Sequence, residues 1–179
     1  YQQQLKNGLK IIGYRSSETP TVLITIQLDG GDLVLTPDEY KKIGVAGLTA
    51  DIMNEGTQNY TTEQVSAELE KLGSSISFSG GKTSSSIRVE CLKKNLDPTL
   101  KLLEEKLLRP RFDEEDFKRV KKQKKESLRQ DKENPNAMVN IAYNKVLYGN
   151  TVLGLPASFK NIDKLNIADV KDYYTKYYS

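Results

Sequence analysis

No histidine occurs anywhere in the 179 residues. That one absence excludes histidine-assisted nucleophiles and histidine-ligated zinc together. Cysteine is almost as scarce: Cys91 stands alone, so neither an internal disulfide nor a cysteine-based metal site can form. Long apolar runs are missing as well. None approaches the roughly 20 residues that span a bilayer, and no signal-type start opens the chain. Charge of one sign is lacking too, since 27 Lys and Arg face 24 Asp and Glu. The resulting +3 is too weak to argue for nucleic acid or an anionic membrane. Internal repeats, low-complexity tracts and linkers are absent. The chain opens on Tyr1 rather than Met, which leads us to expect a mature form or a fragment of something longer.

What is present has the composition of a soluble globular protein, with 37% hydrophobic and 28% charged residues. The length suits one domain or two small sub-structures with a substantial core. Asn7-Gly8 between Tyr1–Leu5 and Leu9–Tyr14 predicts a tight hairpin. Thr21–Leu28 alternates, with Val22, Ile24, Ile26 and Leu28 on one covered face. Gly30-Gly31 ends that strand. After a polar loop with Pro37, a helix begins near Ile43, carries Val45, Leu48 and Ile52 on one face and stops at Gly56. Thr61 and Gln64 form a capping box for a second helix bearing Val65, Leu69 and Leu72, closed by Gly73. Ile76 and Phe78, then Ile87, Val89 and Cys91, alternate on either side of a Gly80–Thr83 turn, a second hairpin.

Everything afterwards reads as helix. Asp97-Pro98 starts one with Leu100, Leu103 and Leu107 inward, closed by Pro110. Asp113 to about Lys132 forms a long helix with Phe117, Val120 and Leu128 on its buried side. Another runs from about Asn136 to Tyr148. Asn166 and Asp169 cap a last one carrying Ile167, Val170, Tyr173 and Tyr177. The fold class expected is α+β, an antiparallel or mixed sheet packed against helices, in a single domain over residues 1–179.

Several local patterns have bland explanations that outweigh the chemical ones. Gly81-Lys82-Thr83 mimics the end of a phosphate-binding loop, but Ile76 stands where the first Gly belongs and a strand follows. The run Lys118–Lys125 resembles a nucleic-acid patch. Yet between Asp113 and Glu133 eight basic residues meet seven acidic ones, with Asp113, Glu114, Glu115 and Asp116 gathered where the helix dipole favours them, so it reads as a solvated face. Cys91 fits a buried apolar role. Asn59-Tyr60-Thr61 matches a glycosylation acceptor, relevant only in a eukaryotic secretory setting. Tyr173, Tyr174, Tyr177 and Tyr178 fit a core with hydroxyls at its rim.

The segment Gly44–Thr57 reads GVAGLTADIMNEGT and resembles the active-site helix of the pitrilysin/insulinase/mitochondrial processing peptidase family. Active members carry H-x-x-E-H there, an inverzincin motif, flanked by Gly-Leu-Ala upstream and Gly-Thr downstream. Two histidines one turn apart hold zinc, and the Glu before the second acts as base on the metal-bound water. In this chain the first His position is Gly47, the base position is Ala50 and the second His position is Asp51. Gly44, Ala46, Gly56 and Thr57 still match.

The resemblance covers essentially the whole chain. Leu5-Lys6-Asn7-Gly8-Leu9-Lys10 looks like the family's first hairpin, and Leu69 to Phe78 like the following helix and strand. Arg109-Pro110-Arg111-Phe112 with Phe117 looks like the loop into the long helix. Tyr148-Gly149, Leu153-Gly154-Leu155-Pro156, Ile162 and Tyr173 to Tyr178 look like the closing block. The family's third zinc ligand is a Glu on the long helix. Counting back from Asn134-Pro135 puts Ser127 there, with Glu126 one residue, roughly 100°, away. The resemblance therefore implies no catalytic residue and no metal ligand here, with zinc expected in an active partner half. A hard-ion site from Asp51, Glu55 and Glu126 is the minor alternative to a solvated acidic face.

Family members pair two similar halves around a chamber, only one half holding zinc. This chain looks like part of the degenerate half of a bacterial two-part zinc peptidase, a fragment of a multi-domain protein, for which a periplasmic or cell-envelope location is the expectation. The implied partners are the active half, on the same chain or as a separate subunit, and a peptide substrate, with no nucleic acid. The implied role is to complete the peptide-binding chamber, where a sheet edge can hold an extended peptide by backbone hydrogen bonds. A stand-alone structural or assembly subunit, related to respiratory-complex core proteins, is the alternative. A third reading, nucleic-acid binding through Lys118–Lys125, is tested by filter binding across a salt series.

Overall fold

The computed structural model describes residues 1–15 and 19–178. β1 (Gln2–Gln4) and β2 (Lys10–Ile12) form an antiparallel ribbon, Gln2 opposite Ile12. Its turn carries Gly8 at φ 90°, and Asn7 Oδ1 accepts from the Leu9 amide. The main sheet holds β3 (Thr21–Asp29), β4 (Ser75–Gly80) and β5 (Ser84–Leu92) in the order β3-β5-β4. β5 is central, with Thr21 opposite Leu92 on one side and Ser75 opposite Glu90 on the other. All described pairings are antiparallel, so the mixed alternative does not apply.

Among the described residues seven α-helices follow or interleave: α1 (Val45–Met53), α2 (Thr62–Leu72), α3 (Leu96–Leu108), α4 (Glu114–Glu133), α5 (Pro135–Tyr148), α6 (Phe159–Lys164) and α7 (Ile167–Tyr177). The capping pairs of α2 and α7 act where the sequence places them, and α4 adds a cap that the sequence reading did not name. Thr61 and Gln64 bond reciprocally at the start of α2, Asp113 accepts from two amides of α4, and Asn166 with Asp169 closes the start of α7. The short α6, opened by Ser158 and Asn161, has no counterpart in the sequence reading.

The core forms where α1 lies on the sheet between α4 and α7. Leu48, Ile52, Phe78, Ile87, Val89, Val120, Ile162, Val170 and Tyr173 are buried together, each large apolar side chain contributing on the order of 1.5–3 kcal/mol. Gly80 allows the close approach of α1 to β4, since a Cβ there would lie 2.1 Å from the Ala46 carbonyl oxygen. Two details depart from expectation. Val22, Ile24, Ile26 and Leu28 are half-buried rather than covered, because β3 is an edge strand whose face is only partly roofed. The buried face of α3 centres on Thr99, Leu102, Leu103 and Lys106, with Leu100 and Leu107 at its rim. The tyrosine block serves the core as expected: Tyr173 donates to the Gly31 carbonyl and Tyr174 to that of Leu107.

Candidate functional site

The first turn of α1 has no side-chain cap of its own, its last turn is bonded by the Asn54 side chain, 3.1 Å from the Ala50 carbonyl, and distant residues act at both ends. At its N-terminus Asp32 accepts from the Gly44 amide at 2.8 Å and from the Ala46 amide at 3.4 Å. Free amides in a first helical turn favour a carboxylate there. Asp32 is nonetheless 5% exposed. Burial outweighs the amides and the nearby Lys82 and Lys124, and pushes its pKa up to about 6.

The folded value lies above the unfolded one, so the folded chain binds more protons between about pH 4 and 6, and Asp32's contribution worsens as pH rises through that window. We expect the Asp32→Asn variant to gain about 2–3 kcal/mol relative to the parent between pH 4 and pH 7. Urea unfolding at the two pH values checks this, and parallel curves refute it.

At the other end of α1, Lys106 reaches in from α3. Its ammonium donates to the carbonyls of Asn54 at 2.9 Å and Glu55 at 3.0 Å and lies 5.9 Å from the centre of the Phe78 ring. Burial pulls its pKa down to about 8.

Between these caps sit the three expected motif positions. Gly47 and Ala50 are buried, while Asp51 alone reaches the surface. The space beside Gly47 and Asp51 is taken by Lys124 of α4. Its ammonium is 3.0 Å from Asp51 Oδ2, and a Cβ on Gly47 would lie 3.3 Å from it. A single positive charge from the chain thus lies against both positions. Tetrahedral zinc requires nitrogen, sulfur or carboxylate donors. Gly47 and Ala50 supply none and Asp51 is neutralised, so these residues do not fit the metal.

The long helix adds no donor. Ser127, one turn beyond Lys124, is exposed. Glu126 turns to Arg129, 3.7 Å away, and lines a different groove with Phe159, so a one-residue shift of the alignment does not bring it to Asp51. Glu55 pairs with Arg119 at 2.6 Å. The hard-ion alternative from Asp51, Glu55 and Glu126 is therefore corrected: each acid faces its own cation. No cluster of three or more metal-type donors exists among the described residues.

Sequence reasoning missed Lys124, Lys106 and Asp32. Two of them left a signal. Lys124 continues the Phe117–Val120–Leu128 stripe, and Lys106 lies one turn after Leu103, so each is a cation on an apolar stripe rather than on a solvated face. Asp32 follows Gly30-Gly31 with nothing in the sequence to mark it as a distant cap.

β4 faces α1, and its outward backbone at Phe78 is already satisfied. The Asn54 side chain accepts from the Phe78 amide at 2.8 Å and donates to its carbonyl at 2.9 Å. β3 carries no partner strand beyond β5 among the described residues.

Comparison with known proteins agrees with this frame. The chain is 26% identical to the non-peptidase homolog YmxG of Helicobacter pylori over 82% of its own length and 34% of that protein. It is 22% identical to mitochondrial-processing peptidase subunit alpha-1 of Dictyostelium discoideum, covering 95% of the chain and 26% of the subunit. It therefore spans a quarter to about two-fifths of the curated relatives it matches. Among solved structures, the peptidase M16 inactive domain from Pseudomonas fluorescens superposes with a TM-score of 0.84 at 23% identity, over 97% of this chain and 42% of that one. A protease from Helicobacter pylori gives 0.85 at 18% identity, over 99% and 43%. No described helix is long and apolar enough to cross a membrane. The profile of the insulinase family, peptidase family M16, matches residues 11–157, and the chain belongs to that family.

Proposed function

We propose that this chain is a non-catalytic domain of a zinc metallopeptidase, completing the peptide-binding chamber of an active half that carries the zinc. One observation carries the reading. The helix that would bear the chemistry holds Gly47, Ala50 and Asp51 in the positions of first ligand, base and second ligand, and Lys124 is ion-paired to the last of them. Such a helix cannot polarise water, yet it is capped at both ends and buried at every position but Asp51, so its value lies in the surface it supports.

Peptide capture by strand addition fits the open edge of β3 better than β4, whose centre Asn54 closes. A bacterial envelope location suits such a peptidase and is part of the same proposal. The test mixes the purified chain with an active half from the same organism. Hydrolysis of an unfolded peptide should rise at least about tenfold over the active half alone, with both halves co-eluting on gel filtration. Co-elution without a change in rate favours the assembly-subunit reading. Chelator-sensitive cleavage by this chain alone overturns both.

A further inference from the structure

α4 carries a second cluster that takes no part around α1. Lys118, Lys121, Lys122, Lys125 and Arg129 line a groove of about 340 Å³ between α4 and α6, together with Glu126 and Phe159. Two of these cations hold the fold. Lys121 donates to the carbonyls of Asp163 and Leu165, both at 2.7 Å, and Lys125 pairs with the Asp163 carboxylate. The side chains of Lys118 and Lys122 have no hydrogen-bond or ion-pair partner among the described residues, although they stand one turn apart on the same face. Glu126 meets Arg129 only at 3.7 Å, with both side chains more than half exposed, so an incoming carboxylate can displace it.

We infer that this groove binds an acid-rich, extended peptide segment whose carboxylates bridge Lys118, Lys122 and Arg129. The spacing matches. Residues one turn apart rise about 6 Å along the helix, and alternate side chains of an extended strand lie about 6.8 Å apart. From Lys118 to Arg129 the helix rises about 16 Å, the length of roughly five extended residues.

Phe159 discriminates between polyanions. Its ring, 36% exposed, holds the Lys125 ammonium at 4.5 Å and the Arg129 guanidinium at 5.6 Å. Single-stranded nucleic acid gains affinity by stacking bases on open aromatic faces, and a base stacking here would have to displace one of those cations. Glu114 and Glu115 before the strip, and Asp131 and Glu133 after it, repel a longer phosphate backbone and limit the site to a short segment. The inference stands on the groove alone and is independent of any chamber.

The test is fluorescence anisotropy with a labelled peptide of about ten residues alternating Glu and Ser, its Gln-for-Glu counterpart, and an oligothymidine of equal length. At about 50 mM salt the Glu peptide should bind at least tenfold more tightly than the Gln peptide. The Lys118→Gln/Lys122→Gln variant should weaken that binding about tenfold and flatten its salt dependence. The Lys101→Gln/Lys171→Gln variant, with the same change in net charge, should bind as the parent does. Equal binding of the two peptides, or equal loss in both double variants, overturns the proposal. So does tighter, Lys118- and Lys122-dependent binding of the oligonucleotide.

Discussion

Lys106→Ala is expected to lower the unfolding free energy by about 4 kcal/mol, and Lys106→Met by about 2 kcal/mol. Among the described residues the ammonium is the one side-chain donor to the Asn54 and Glu55 carbonyls, which lie at and just beyond the C-terminal end of α1. A helix leaves its final carbonyls without intrahelical partners, and Lys106 is 2% exposed, so water does not readily replace it. Methionine keeps the packing of the stem and forfeits only the two hydrogen bonds and the contact with Phe78, part of which the relief of a buried charge offsets. Alanine adds a cavity beneath α1. Urea denaturation of both variants checks the order, and a methionine variant as stable as the parent refutes the capping role.

The same lysine sets a pH signature. Its folded-state pKa, about 8, lies below the ordinary 10.5 of the unfolded chain. Below pH 8 both states carry the proton. Between 8 and 10.5 the unfolded chain holds it and the folded chain has lost it, so the burial cost disappears and stability rises with pH, by up to about 3 kcal/mol. Tyr173 opposes this only from pH 10 upward, since burial raises its pKa to about 12. Lys82 and Lys121, also lowered by burial, act in the same direction as Lys106. The difference between the parent and Lys106→Met over pH 8 to 10 isolates the one group, and the variant should lose most of the rise.

How much of this could be read from the sequence depends on the kind of interaction. Elements whose ends are marked locally came through: the Thr61–Gln64 box and the Asn166–Asp169 cap each act within four residues, where spacing suffices. Strand alternation gave β4 and β5 with their buried faces. The caps of α1 were invisible, because Asp32 and Lys106 act across 12 and 52 residues, and such pairings exist only once the sheet and helices have docked. For the same reason the motif comparison could note that Gly47, Ala50 and Asp51 include neither a histidine nor a glutamate without finding Lys124. Absence of chemistry is a property of each residue alone. What fills the space is a property of the packing.

That packing makes the second large effect measurable. Supplying ligands through Gly47→His, Asp51→His and Ser127→Glu should not by itself create a tight zinc site, because the Lys124 ammonium lies against the first two positions. Two unit charges 4 Å apart interact by about 4 kcal/mol at an effective dielectric of 20, and a divalent ion doubles that. Lys124 is 30% exposed and can swing partly into solvent, which removes much of the repulsion. We therefore expect Lys124→Met, added to the three ligand substitutions, to tighten zinc binding by about a hundredfold. Ala50 stays unchanged throughout, since a carboxylate at that fully buried position would test the core rather than the metal. Competition with a chromophoric chelator reads the affinity, and a rise in melting temperature with added zinc reports it independently. Equal zinc affinity with and without Lys124 would show that its ammonium is an ordinary surface ion pair that does not oppose a cation beside Gly47 and Asp51.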